Sequence, residues 1–371
     1  MSTNNEVKVI AFYLPQFHPI PENDAWWGTG FTEWTSVGKA QKYYRGHIQP
    51  NVPADLGYYD LRLPEVRIAQ AELAREAGVV AFCYWHYWFG DGKQLLEKPL
   101  EEVVRLGEPD FPFCLGWANH SWLNKSWNSE RQTIIPKLLM EQKYLGINDH
   151  IDHFYKMLPV FSDKRYYKVH GKLLFLVYDP FALPDFREFK KTWNLLATQN
   201  GLPEFFFIAN LEDASKVSHP TIMEYDAISL CRLYAPWRIE GNKIYSFYRK
   251  VTRNISRLLN VSINKITYKK AIEYIDTPIY ENANVYPNII PRWDNSPRRG
   301  PGAYIYHNST PTLFKRHVKM ILRRVHRKQN EDKIVFLKSW NEWAEGNYME
   351  PDTRWGKGYI QALKEALNEK Y

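Results

Sequence analysis

Eight short apolar runs recur along the chain, most of them separated by stretches long enough for a helix. They are Val7 to Leu14, Val79 to Tyr84, Phe111 to Trp117, Leu173 to Tyr178, Phe205 to Asn210, Ala227 to Cys231, Val285 to Ile290 and Ile334 to Trp340. Runs this short and this continuous read as strands buried on both faces, as in parallel sheets covered by helices. Eight such units predict an α/β fold of the closed (β/α)8 TIM-barrel type. The rival, an open doubly wound sheet, loses its main support at the first run. That run ends in Pro15-Gln16-Phe17-His18 and not in a glycine-rich phosphate turn. The seventh run is the weakest, because Pro287 removes a ladder donor. An amphipathic helix is predicted from about Pro64 to Ala77, with proline in its first turn and Gly78 as its stop.

At 371 residues the chain fits one barrel domain, 1–371, carrying insertions. One insertion follows the third strand, from about Ala118 to Gly146, and the other follows the sixth, from about Tyr234 to Asn282. Loops that follow barrel strands gather on the face where such folds keep their chemistry.

Fourteen Trp and 25 Tyr need an account. Rings of this kind either fill cores or wall a carbohydrate cleft, and their clustering at strand ends favours the cleft. The net charge of +8 permits an anionic glycan or a membrane surface as partner without requiring either. Neither zinc-finger spacing nor an RNA-recognition aromatic motif occurs, so no nucleic-acid partner is expected. Cys83, Cys114 and Cys231 all fall in apolar runs and read as buried free thiols. The polar first residues and the lack of any apolar run near 18 residues, the approximate length of a membrane span, lead to a cytoplasmic expectation. The basic run Lys315 to Lys328 has helical periodicity. It reads as a solvated outer barrel helix or as a contact for a membrane surface or anionic polymer.

The ends of the runs share a composition. Around the first come Tyr13, His18, Trp27, Glu33 and Trp34, and around the second Trp85, His86, Tyr87 and Trp88. The third supplies Asn119, His120 and Trp122, the seventh Trp293, Asp294 and Arg298, and the eighth Trp340 and Asn341. All are expected to bind substrate on one polar, aromatic-walled face. His86 and His120 stand in no metal-ligand spacing. They read as donors to sugar hydroxyls or as satisfied structural histidines, and neither a metal nor a cofactor is expected. The absence of a G-x-S-x-G elbow argues against serine-hydrolase chemistry.

Glu342 and Glu345 are the expected catalytic pair. Cleaving a glycosidic bond needs a proton for the departing oxygen and a second carboxyl acting beside it. Apolar walls such as Trp340 and Trp343 keep one carboxyl protonated near neutrality by desolvation. The alternative is that one of the pair caps a helix or pairs with Arg354 or Lys357.

Five segments together resemble the WbsX family, whose members carry a domain similar to glycoside hydrolase family 99. They are Ala11 to His18, Gly30 to Trp34, Trp85 to Phe89, Trp293 to Arg299 and Trp340 to Gly346, and the likeness runs from about residue 7 to residue 366. Family 99 contains endo-acting α-mannosidases and α-mannanases on a (β/α)8 barrel. Its motif resembles Asn-Glu-Trp-His-Glu, and here it reads Asn341-Glu342-Trp343-Ala344-Glu345, with alanine in the histidine position. The resemblance implies a retaining mechanism through a 1,2-anhydro sugar. Glu342 would take the proton of the sugar 2-hydroxyl, and Glu345 would protonate the leaving oxygen. WbsX-like proteins are commonly labelled glycosyltransferases of O-antigen or capsule assembly, yet no sugar-nucleotide motif stands in this sequence. Three functions are therefore carried forward: a glycoside hydrolase for an α-linked manno- or rhamno-configured glycan, a polysaccharide glycosyltransferase, and a non-catalytic glycan-binding module.

Overall fold

The computed structural model describes residues 7–124, 137–237 and 243–369. Eight strands form its centre: β1 (Lys8–Tyr13), β2 (Val79–Trp88), β3 (Phe113–Trp117), β4 (Lys172–Val177), β5 (Phe205–Leu211), β6 (Ala227–Leu230), β7 (Val285–Ile289) and β8 (Ile334–Leu337). Each pairs in parallel with its successor, and β1 pairs with both β2 and β8, which closes the barrel. All eight expected runs are strands of this one sheet. Pro287 is accommodated because the β7–β8 ladder begins only at Asn288, past the missing N–H.

Two strands end three or more residues from where the sequence pattern places them. β2 continues four residues beyond Tyr84, to Trp88. β8 stops at Leu337, and the chain then turns through a cis Lys338–Ser339 peptide. The next residues, Asn341 and Glu342, pair antiparallel with Tyr348 and Asn347 in a small hairpin.

The helices obey their local signals. The helix Pro64–Ala77 begins on proline and ends at Gly78, whose φ of +88° is left-handed and suits glycine. Its inner face includes Gln70, Ala71, Leu73 and Ala74. The helix Pro311–Val325 contains most of the basic run and buries Phe314, Val318, Ile321 and Leu322. Its Lys315 and Lys319 pair with Glu369, and its Arg324 with Asp276 and Glu281. That makes it an outer barrel helix whose charges are largely answered by the protein's own acids.

Both expected insertions are present. The first contributes a hairpin of Trp122–Asn124 with Lys137–Met140, and its central part lies outside the described residues. The second contributes the helices Lys243–Leu258 and Tyr268–Ile275. A third excursion, between β1 and the helix at Pro64, carries the short helix Glu33–Gly38 and bears on the site. The three cysteines are buried and unbridged. Among the described residues no helix is long and apolar enough to cross a membrane.

Candidate active site

A cavity of about 410 Å³ lies at the end of the barrel where the strands finish. Its aromatic wall follows from the period-two geometry of β2, which sends alternate side chains to opposite faces. Trp85 and Tyr87 line the cavity. Trp85 is held flat by stacking on Phe12, with ring centroids 4.7 Å apart and planes 4° from parallel. Tyr87 meets the edge of Trp122, 5.0 Å away, so the first insertion completes the wall. Trp27 and Phe31, stacked at 5.6 Å, come from the excursion after β1. His120 leans on Tyr178, 4.9 Å away, at the ends of β3 and β4.

The segment after β8 is tied to β1. Ser339 Oγ and the Trp340 N–H both donate to the Phe12 carbonyl, at 3.0 and 2.7 Å. Asn341 accepts the Leu14 N–H at 2.8 Å and donates to the Leu14 carbonyl at 3.0 Å. Trp343 Nε1 donates to Glu350 at 2.7 Å, and Gln70 and Tyr59 donate to the same buried carboxyl. Burial pushes the Glu350 carboxyl up to about 7. The turn after Glu345 closes at Gly346, where φ is +54° and a Cβ would stand 2.9 Å from the Asp294 backbone. Only glycine fits there without displacement.

This frame presents Glu342 and Glu345 to the cavity. A single guanidinium organises the carboxylates: Arg298 Nη2 donates to both oxygens of Glu33 at 2.8 Å, and Nη1 donates to Glu345 Oε1 at 3.2 Å. Glu33 also accepts the Ala344 N–H at 2.9 Å, fixing the turn between the two glutamates. Glu342 differs. It is buried, and its Oε2 has no hydrogen-bond partner among the described residues. Burial raises its carboxyl to about 7; Lys338 opposes the rise, Glu345 adds to it, Arg298 opposes it and Glu33 adds again. Burial works against the Lys338 ammonium as well, but facing Glu342 holds it charged. A carboxyl poised near neutrality beside a second one tethered to arginine can take up and deliver protons at one bond.

Nine of the expected site residues line this cavity: Trp27, Glu33, Trp85, Tyr87, His120, Trp122, Arg298, Glu342 and Glu345. The others lie elsewhere, each for a physical reason. Tyr13 points out of the barrel and donates to Gln70. His18 is buried against the Pro15 carbonyl. Trp34 donates to the Tyr59 carbonyl and packs on Trp343. The alternation of β2 turns His86 and Trp88 outward. His86 Nε2 lies 2.8 Å from His153 Nε2, and Trp88 donates to Asp149. Asn119 bridges the backbone of Asp179 and the Tyr144 hydroxyl. Asn341 is the clamp described above, and Trp340 is fully buried against Phe82. Trp293 and Asp294 line a second cavity of about 290 Å³, where Asp294 meets His47 and Gln49. Neither glutamate pairs with Arg354 or Lys357; Lys357 pairs with Glu76. Among the described residues no cluster of His, Cys, Asp and Glu could hold a metal ion.

Lys338, Arg299, Tyr178 and Gln16 line the cavity too, beyond the residues expected to bind substrate. Lys338 carried a usable signal, since it is the first residue after β8.

The architecture is that of a GH99-like (β/α)8 barrel. Over 100% of this chain and 96% of its counterpart it superposes on a glycoside hydrolase-like protein with a TM-score of 0.61 at 15% identity. It is also similar to the GH99 endo-α-mannosidase from Bacteroides thetaiotaomicron in complex with BIS-TRIS-propane, with a TM-score of 0.54 at 14% identity over 98% and 96% of the two chains. Likeness at such identities is one of fold. The chain belongs to the WbsX family: the family model described as "Glycosyltransferase WbsX" matches residues 9–363. It is 34% identical over 362 residues to the uncharacterized protein WxcX of Xanthomonas campestris pv. campestris, in each of two strains. That match covers 97% of this chain and 49% of the relative, so the chain spans about half the length of the curated relatives it matches.

Proposed function

We propose that the chain is a retaining glycoside hydrolase for an α-linked, manno- or rhamno-configured glycan. The observation that carries this reading is the buried Glu342 carboxyl, raised to about 7, beside an arginine-tethered Glu345 in an aromatic-walled cavity. A general base works best when its pKa lies near the working pH. Glu342 takes the proton of the sugar 2-hydroxyl. The freed oxygen attacks C1, and the glycosidic oxygen leaves with a proton from Glu345. Water then opens the 1,2-anhydro sugar: its oxygen bonds C1 as Glu345 takes one of its protons, and Glu342 returns its proton to O2. Arg298, gripped by both oxygens of Glu33, keeps only one longer bond to Glu345. As substrate seats, Glu345 gives up that bond, takes a proton from solvent water and turns to the glycosidic oxygen. Trp85, Tyr87 and Trp122 supply flat faces for sugar rings, and Gln16 and His120 supply polar edges.

The family's description favours a second reading, a glycosyltransferase. The same residues serve it, with an acceptor hydroxyl in the place of water. One experiment separates the two. The protein and its Glu345→Gln variant are incubated with a glycan library, with and without sugar nucleotides, and products are read by mass spectrometry. Release from glycans alone, lost in the variant by about 10²–10⁴-fold, supports hydrolysis. Products that require a sugar nucleotide support transfer. Equal product with Glu345→Gln sinks both.

A further inference from the structure

The second insertion brings a group of unanswered cations to the rim of the cavity. Its helix Lys243–Leu258 is seated by buried Thr252 and Ser256: Thr252 donates to Asn264, and Ser256 accepts the Ile263 N–H. Arg253 and Arg257, one turn apart, lie over the chain turn at Gly302. A Cβ on that glycine would stand 3.0 Å from Arg253 Cγ and 3.1 Å from Arg257 Nε. Arg299, just before this turn, lines the active-site cavity.

Among the described residues no carboxylate pairs with Arg253, Arg257 or Arg299, and the buried Nε atoms of Arg253 and Arg257 have no hydrogen-bond partner. Other arginines near the site are paired: Arg298 with Glu33 and Glu345, Arg292 with Asp352. Burial, then Arg253, then Arg299 lower the pKa of the Arg257 guanidinium. Gathering like charges without acids is unfavourable, and a bound anion relieves it. Three guanidinium forks suit the oxygens of a phosphate.

The same helix and the turn after it expose apolar side chains beside the exposed Lys250 and Asn254. Phe247 is 67% exposed, Leu258 81% and Leu259 60%, with Ile255, Val261 and Ile263 also exposed. At 100° per residue Phe247 and Leu258 share one face, and Arg253 and Arg257 lie together to one side of it, towards the buried face that Thr252 and Ser256 hold. An exposed apolar face bordered on one side by cations suits a helix lying in a lipid interface with its cations at the headgroups.

We propose that Arg253, Arg257 and Arg299 bind the phosphate of a lipid-linked glycosyl phosphate, while the apolar face of the helix rests in the bilayer. The saccharide then enters the cavity past Arg299. This assignment rests on the reading of that cavity as a sugar site, and a water-soluble phosphate ester would leave the apolar face without a use.

The test is flotation of the full chain with phosphatidylcholine vesicles containing a small fraction of a long-chain polyprenyl diphosphate. Vesicles of phosphatidylcholine alone, and with phosphatidylglycerol, are the comparisons. The proposal expects about tenfold or greater enrichment on the polyprenyl diphosphate vesicles. Arg253→Gln/Arg257→Gln, checked for an unchanged melt, should lose it, as should Leu258→Ser/Leu259→Ser, which alters only exposed side chains. Equal binding to phosphatidylglycerol vesicles, or retention by either double variant, overturns the proposal. So does tight binding of a soluble nucleoside diphosphate with no vesicle enrichment. Glu345→Gln should float like the parent, so a failure of the catalytic reading and a failure of this one appear in different measurements.

Discussion

Glu342→Gln should make the protein more stable than the parent as pH rises, while removing the base of the proposed reaction. Burial raises the Glu342 carboxyl from its ordinary 4.5 to about 7, so the folded state holds that proton more tightly than the unfolded chain does. Below about pH 4.5 both states are protonated and the position is neutral with respect to pH. Between there and about 7 the unfolded chain releases its proton first, and the parent loses stability with every rise in pH. Above about 7 the whole penalty is present. The interval from 4.5 to about 7, at about 1.4 kcal/mol per pH unit, amounts to about 3 kcal/mol. Glutamine imitates the protonated acid at all pH values and avoids that loss. In a chain of this size the gain corresponds to a melting temperature higher by about 5 °C. The assay is thermal unfolding of parent and variant across a pH series. The gap should open from about pH 4.5 and level off above about 7. Glu350, also raised to about 7, adds a pH dependence of its own, but it is common to both proteins and cancels in the difference. A gap independent of pH, or one that widens towards acid, refutes the reasoning.

Three further outcomes follow from the geometry. Trp122→Ala removes a half-buried wall ring that touches Tyr87, so KM should rise by about tenfold with kcat nearly unchanged, measured by steady-state kinetics. His86→Leu alters a residue outside the cavity that faces His153, so kcat should stay near the parent value while unfolding shifts by about 1–3 kcal/mol, read by urea denaturation. Ala344→His restores the family 99 motif residue at a fully buried alanine, and overpacking should cost about 1–3 kcal/mol; an unchanged melt would show that space for an imidazole exists there.

The barrel was legible because parallel strands buried on both faces must be apolar without interruption, and eight such runs leave few alternatives. The helix from Pro64 to Gly78 was legible to the residue, since proline and glycine carry their own backbone constraints. The place of the glutamate pair at the cavity was legible because the two acids directly follow the last buried strand, where a barrel opens. What the sequence concealed was direction. The string from Trp85 to Trp88 reads as four candidates, yet a strand can send only every second one inward. Its length decided which, and β2 runs past the Tyr84 limit that hydrophobicity suggested. Glu33 and Arg298 stand 265 positions apart, and nothing local tells that they share two hydrogen bonds. Lys338 had the position of a site residue, first after β8, but a type that at a strand end ordinarily marks solvent.

The clamp between Asn341 and Leu14 joins positions 327 residues apart. It makes the candidate site a property of the finished ring and of no part of it. Loop closure over so long a span is entropically costly and comes late, so the glutamates gain their setting only when the last strand meets the first. A chain released during synthesis, or one whose final strand has peeled away, holds most of a barrel and lacks the setting of Glu342 and Glu345. The seam between the two ends thereby acts as a check on completeness.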